Sequence, residues 1–198
     1  MDKLPYWNHN IAYYHRIKNQ TKECNSVLDV GCGNGLLIQY LDNGKTSLTG
    51  IDTDLSCIES CRSRDVSENS TFFQNDFLSF ESENKYDAIT FVASIHHMDM
   101  EAAVNKAKSL LNQNGRMIIV GLAKPSGIFD YCVEAFRIVP VFLISAIRKS
   151  TSSEELNVPV SYDMPTMRYV RKVKKTLLPH SKFRYGLYYR YILTWVNR

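Results

Sequence analysis

The chain has 198 residues, 44% of them hydrophobic and 22% charged, a composition that excludes disordered, collagen-like and fibrous classes. Its net charge of +4 is unevenly laid out: all 20 acidic residues fall within residues 1–163, and residues 164–198 hold nine Lys and Arg with no acid. That split raises contact with nucleic acid or a membrane surface as a question, while the length suits a single domain over residues 1–198.

The opening MDKLPYWNHN lacks the apolar centre of a secretory leader. Residues 1–25, with Tyr6, Trp7, Tyr13 and Tyr14, read as an N-terminal helical arm, in which His9 and Tyr13 would meet on one face. Ser26–Val30 is an apolar run that ends in a glycine cluster. Leu36–Leu41 has helical spacing, and Ser47–Ile51 is a second strand-like run. Asp54 or Thr53 is placed to cap a helix reaching about Ser63, with Leu55, Ile58 and Cys61 on one side. Thr71–Phe73 and Tyr86–Ala93 supply a third and a fourth strand. Asp99 starts a helix with Ala103, Ala107, Leu110 and Leu111 on one face; Asn114-Gly115 closes it and Arg116–Leu122 is a fifth strand. Strands alternating with helices at this spacing make parallel βαβ units, hence a doubly wound, Rossmann-like α/β fold with helices on both faces.

The order then changes. Residues 123–163 hold an apolar helical stretch, Ile128–Ile147, followed by a polar linker. The ten-residue uncharged run Ile138–Ile147, interrupted by Pro140, is too short to span a bilayer. Its packing is expected to be core or lid, with a greasy acceptor pocket or a peripheral membrane contact as the functional alternative. Thr166–Leu178 is a basic helix whose Arg168, Arg171, Lys172 and Lys175 recur at helical spacing, as one solvated face would require. Lys182–Tyr188 and Arg190–Val196 suggest a terminal antiparallel pair, with Phe183, Tyr185, Tyr189 and Tyr191 alternating as sheet packing requires. The five cysteines (Cys24, Cys32, Cys57, Cys61, Cys132) lack disulfide-framework spacing, which points to reduced thiols and a cytoplasmic location. No CxxC or HxxxH supplies a metal site, so none is expected.

The strongest motif is Val27-Leu28-Asp29-Val30-Gly31-Cys32-Gly33-Asn34-Gly35, directly after the first strand and before a helix. Glycines there let the backbone approach a ligand closely, at the strand ends where open α/β sheets bind. A dinucleotide fingerprint needs a third glycine where this chain has Leu36, so the GxGxG spacing suits a nucleoside without phosphates. Asp52 ends the second strand 21 residues after Gly31, where a carboxylate accepts from ribose hydroxyls. Asp76 follows the third strand, placed to accept from an exocyclic amine, with Phe77 offering a flat apolar face.

With these residues the chain resembles a class I S-adenosylmethionine-dependent methyltransferase, of the type-11 or ubiquinone/menaquinone-biosynthesis-like kind. The resemblance covers residues 26–122, the cofactor-binding core, and more loosely the closing helix and strand pair of residues 164–198. It implies a seven-stranded sheet, mostly parallel with an antiparallel C-terminal strand, and S-adenosylmethionine as cofactor with S-adenosylhomocysteine as product. It also implies that Asp29, Gly31, Cys32 and Gly33 surround the methionine part, and that Asp52 binds the ribose with Thr53 beside the adenine. Asp76 and Phe77 would hold the adenine edge, and Ser94 would pass near the sulfonium.

At the reacting end, Ser94-Ile95-His96-His97-Met98 lies after the fourth strand. Neighbouring histidines are expected to diverge, one facing the pocket and one the protein. The resemblance favours His97 as the pocket-facing catalytic candidate, with His96 beside it. Either could instead cap the following helix. His9, Tyr13 and Tyr14 are second-rank candidates if the arm lids the pocket. The insertion of residues 123–163 would then choose the acceptor. The leading reading is methyl transfer to a small molecule, apolar or amphipathic; the alternatives are an RNA acceptor, a non-catalytic cofactor-binding module, and a nicotinamide dehydrogenase disfavoured by Leu36. The oligomeric state has no signature in the sequence.

Overall fold

The computed structural model describes residues 8–147, 164–187 and 189–198, with side chains described to Arg137 in the helix that ends at Ile147. Seven strands form one sheet in the order β3-β2-β1-β4-β5-β7-β6. The strands are β1 (Ser26–Val30), β2 (Ser47–Asp52), β3 (Ser70–Gln74), β4 (Tyr86–Val92), β5 (Leu111–Leu122), β6 (Lys182–Tyr185) and β7 (Arg190–Val196). All neighbours from β3 to β5 pair in parallel, and β7 pairs antiparallel with both β5 and β6. The chain winds outward from β1 to β3, then returns to place β4 on the other edge of β1. That reversal opens a crevice at the carboxyl ends of β1 and β4, the place where such sheets bind ligands.

Side-chain alternation along the strands divides the core into two layers. Leu28, Val30, Ile89 and Phe91 pack with Ala103, Val104 and Ala107 of α4 (Met100–Leu110) and with Met167, Val170 and Val173 of α6 (Met167–Leu177). Val27, Leu48 and Ala88 point the other way. They meet Ile17 of α1 (Tyr14–Thr21), Leu36 and Ile38 of α2 (Leu36–Leu41) and Ile58 of α3 (Leu55–Arg62). Each fully buried Leu, Ile or Phe contributes roughly 1.5–3 kcal/mol over exposure, so both helical layers are held by the sheet they cover. The expected caps form: Asp54 accepts from the Ser56 amide, Asp99 from Ala102 and Thr166 from Tyr169.

Four features depart from the sequence reading. First, Asn114-Gly115 does not close α4, which stops at Leu110, but lies inside β5. Asn114 takes φ +64°, and the register moves from Tyr86 opposite Leu111 to Ala88 opposite Arg116. The turn dipeptide therefore builds a bulge, and its backbone is satisfied by Asn197, whose amide donates to the Gly115 carbonyl at 2.8 Å. Second, β6 ends at Tyr185, so Tyr189 falls outside both terminal strands, exposed and at φ +58°.

Third, α5 (Ile128–Ile147) leaves Ile128, Phe129, Tyr131 and Phe136 exposed rather than in the core. The linker and the run of side chains from Ile138 lie outside the described residues. Fourth, the basic residues of the tail do not share one solvated face. Arg168, Lys172 and Lys175 are exposed, but Arg171 is half-buried and pairs with Asp130 of α5. Asp130 also accepts from the Tyr185 hydroxyl at 2.7 Å and the Ser126 amide at 3.0 Å. Burial opposes its charge, but these donors hold the carboxyl down at about 2.

Candidate active site

A cleft of about 670 Å³ opens at the carboxyl ends of β1, β2 and β4, and its lining gathers most of the residues singled out from the sequence. Asp29, Gly31, Cys32, Gly33, Asp52, Thr53, Asp76, Phe77, Ser94, His96 and His97 all line it. The β1 loop is held open by the neighbouring strand: the amides of Gly31 and Cys32 both donate to the Ile51 carbonyl, at 2.8 and 3.0 Å. Gly31 sits at φ +69°, and a Cβ there would lie 2.4 Å from the Ser94 Cβ. Only glycine fits both the backbone and the close approach of the β4 loop. Gly33 also has positive φ, yet a Cβ on it would meet nothing within 4 Å, because its open face is turned to the cleft.

Two carboxylates stand beside this loop and differ in burial. Asp52 is half-buried; its Oδ2 accepts from the Gly33 amide at 2.8 Å and its Oδ1 from the Asp54 amide at 3.0 Å. Asp29 is buried, and the Thr90 hydroxyl donates to its Oδ1 at 2.6 Å. Burial pushes its carboxyl up to about 7, the charge of Asp52 adds to the shift, and the Thr90 hydrogen bond only partly offsets it. A cationic ligand beside Asp29 would relieve that penalty. The open face of Gly33 and the paired acids thus fit a ligand that is both nucleoside-like and positively charged.

Other predicted contacts are arranged differently. Asp76 is exposed at the rim and accepts from the Leu78 amide at 2.6 Å. Phe77 lines the cleft, but its ring packs edge-on against Phe91 at 5.4 Å, so it supports the wall from the core. Ser94 is buried and donates to the Val30 carbonyl, locking the β4 loop to the β1 loop. Cys61, which the sequence places on α3, donates to the Gly33 carbonyl at 3.1 Å and so braces the loop from below.

At the other end, a short 3₁₀ turn spans Ile95–His97. This tight turn keeps the two imidazoles side by side, with ring centres 4.1 Å apart, so the histidines do not diverge and both face the cleft. His97 is exposed. His96 is half-buried; burial, then the neighbouring His97 and Arg190, pull it down to about 4, which keeps it neutral near neutral pH. Its Nδ1 has no hydrogen-bond partner among the described residues. His9 and Tyr14 also line the cleft, but Tyr13 does not. Its hydroxyl donates to the Leu187 carbonyl at 2.7 Å, and its ring packs under Gly186.

The sequence reading missed Arg190. It opens β7, is only 8% exposed, and lines the cleft, where Asn10 Oδ1 accepts from its Nε at 3.1 Å and its Nη2 at 2.6 Å. Residues 10 and 190 lie at opposite ends of the chain, so no local pattern marks the pair.

A sheet of this order, a glycine loop after β1 and an acid at the end of β2 define the class I methyltransferase arrangement. Residues 27–115 match the model of a family described as a methyltransferase domain, and the chain is an S-adenosylmethionine-dependent methyltransferase. It is 26% identical to an uncharacterized methyltransferase of Mycobacterium tuberculosis over 96% of each chain. Among solved structures it shares its fold with the plantazolicin methyltransferase BpumL in complex with SAH (TM-score 0.67, 14% identity, 96% of this chain and 84% of that one). It also shares it with the magnesium protoporphyrin IX methyltransferase of Synechocystis PCC 6803 (TM-score 0.62, 16% identity, 96% and 83%). Among the described residues no helix is long and apolar enough to cross a membrane, and no cluster of metal ligands occurs.

Proposed function

We propose that this enzyme methylates a small-molecule acceptor with an apolar or amphipathic body, leaving S-adenosylhomocysteine. One observation carries the reading: a single cleft has the glycine loop, Asp29 and Asp52 on one side and His96, His97, Met98, Leu122 and Met164 on the other. The first side suits the cofactor. Asp29, Gly31, Cys32 and Gly33 would hold its methionine part, Asp52 its ribose, Thr53 and Asp76 its adenine, with Phe77 as a wall, and Ser94 would run beside the sulfonium. When bound, the cofactor supplies a methyl group already activated on a cationic sulfur. The chain then has to hold the acceptor in line and keep water out.

On the second side Met98, Leu122 and Met164 give an apolar surface, and the two histidines give polar atoms that orient an acceptor. His96, neutral, can donate or accept one hydrogen bond there; His97, at the solvent edge, is the better placed of the two to pass a proton outward. The plantazolicin and magnesium protoporphyrin IX methyltransferases, named for small molecules, support that acceptor class. Calorimetric titration with S-adenosylhomocysteine tests the cofactor side. One site per chain is expected; a folded protein that takes up none contradicts the reading.

A further inference from the structure

The helix α5 is built inside out. The side chains it turns toward the protein include charged ones: Asp130 is only 3% exposed and pairs with Arg171 of α6. Glu134 pairs with Arg137 at 2.9 Å, both side chains are largely buried, and the Arg137 guanidinium lies over the Tyr185 ring at 5.1 Å. The outward face carries Ile128, Tyr131, Cys132, Ala135 and Phe136, all exposed, with Ile128 and Phe136 each at 85%. Positions 128, 131, 132, 135 and 136 follow the i, i+3, i+4, i+7, i+8 spacing of one helical stripe. A helix packed on a core in water shows the reverse arrangement, apolar side inward and charges outward. Ion pairs inside and an apolar stripe outside mark a face that meets an apolar environment.

Cations border the stripe. Arg171 ties α6 to α5, and Arg168 and Lys175, one turn before and after it on α6, are exposed. Lys124, just ahead of α5, is exposed as well. The acids in this part of α5 are neutralised internally, Asp130 by Arg171 and Glu134 by Arg137, while residues 164–198 bring nine Lys and Arg with no acid. An apolar stripe flanked by cations complements an anionic lipid surface, whose acyl chains take the stripe and whose headgroups meet the cations. A second copy of the chain fits this face less well, because it brings two basic rims together.

We propose that this face of α5, with Arg168 and Lys175 of α6, docks the protein on an anionic lipid bilayer. The helix lies in the plane of the headgroups rather than across them, since none of the described helices is long and apolar enough to cross a membrane. The sequence extends its apolar character: α5 continues to Ile147, and residues 138–147 hold no charge. The helix also starts beside the acceptor end of the cleft. Lys124 follows shortly after Leu122 of the lining, and its amide and carbonyl bond Pro165 and Met167, next to Met164 of the same lining. Docking there brings the rim of the cleft to the lipid, which suits an amphipathic acceptor; the docking itself does not depend on that reading.

The test is co-sedimentation of the full chain with vesicles of phosphatidylcholine alone, or mixed with about a quarter of phosphatidylglycerol. Binding to the mixed vesicles should be about tenfold or more tighter, and should fall as salt is raised. Arg168→Gln and Lys175→Gln should each weaken it about fivefold, and Ile128→Ser with Phe136→Ser together about tenfold or more. All four side chains are exposed, so unfolding midpoints and S-adenosylhomocysteine affinity should stay as in wild type. Cys132 gives an independent readout, since the other four cysteines are buried: an environment-sensitive fluorophore on it should shift to the blue when mixed vesicles are added. No binding to mixed vesicles, equal binding to both kinds, or binding that leaves the variants and the fluorophore unchanged would overturn the proposal. So would a dimer that Phe136→Ser dissociates, or a fluorophore already blue-shifted without vesicles, which assign the stripe to a second copy or to the chain itself. Vesicle binding is read without cofactor or acceptor, so its failure is separate from a failure of the small-molecule reading.

Discussion

The proposed cofactor end and the proposed acceptor end of this cleft are built by different means. The cofactor end comes from one stretch of chain, Asp29 to Phe77, in which successive strands each deliver a loop to the same edge of the sheet. The acceptor end is gathered from Asn8–Asn10, the 3₁₀ turn at Ile95–His97, Met164 and the Tyr189-Arg190 step. The first carries carboxylates and tight backbone geometry. The second carries a pair of histidines, of which burial and its neighbours hold His96 neutral near neutral pH, and a buried arginine. The glycine loop and its acids thus sit on a local scaffold of consecutive strands, while the end proposed to meet the acceptor depends on packing between segments far apart in the chain.

The largest break in this contrast should come from Gly31→Ala. Its Cβ would lie 2.4 Å from the Ser94 Cβ at φ +69°, so backbone strain alone should cost about 1–3 kcal/mol and the two loops should part. Urea unfolding should show the stability loss, and S-adenosylhomocysteine titration should show little or no binding. Gly33→Ala, with open space around its Cβ, should lose less stability yet still bind more weakly. Asp52→Ala comes next: lost hydrogen bonds should weaken S-adenosylhomocysteine by about 1–3 kcal/mol in the same titration. Unchanged affinity would remove Asp52 from the ribose site.

Smaller, and opposite in sign at the two ends, are the effects of pH on stability. The Asp29 carboxyl is raised from 3.8 to about 7 by folding, so its stabilising contribution is present below the unfolded value and is lost as pH rises through about 7. The His96 imidazole is lowered from 6.5 to about 4, so its contribution is present above the unfolded value and is lost as pH falls toward about 4. Relative to wild type, Asp29→Asn should therefore gain stability at about pH 8 compared with about pH 5. His96→Gln should gain at about pH 5 compared with about pH 8. Urea midpoints at the two pH values decide it, and two parallel profiles would show that the ends do not differ in this way.

How much of this was legible in the sequence follows from the same contrast. The alternation of apolar runs and helical patterns located every strand of the sheet; β1, β2 and β4 are buried along most of their length, whereas the edge strands β3 and β6 are largely exposed and were marked by their aromatic and β-branched residues. The glycine loop and Asp52 were legible because their spacing is contiguous and chemically specific. Asn114-Gly115 was misread since the same dipeptide serves a helix end or a bulge, and only pairing with β7 decides between them. The side-by-side histidines depend on a 3₁₀ turn with no composition of its own. Arg190 looked like one more charge in a basic tail. Its burial follows from β7 inserting beside β5, which carries it to Asn10 across 180 residues of chain. The bracing of Gly33 by Cys61 is hidden for the same reason, two distant segments meeting under the loop.

The central claim is that a cationic cofactor sits beside Asp29 at the carboxylate end. The most direct measurement compares S-adenosylmethionine, which is cationic at sulfur, with neutral S-adenosylhomocysteine by calorimetry from about pH 6 to about pH 8.5. As Asp29 ionises through about 7, the methylated cofactor should gain affinity relative to the demethylated one, and Asp29→Asn should flatten that rise. A ratio of affinities that stays level with pH in the wild-type protein, or that rises equally in Asp29→Asn, would contradict it.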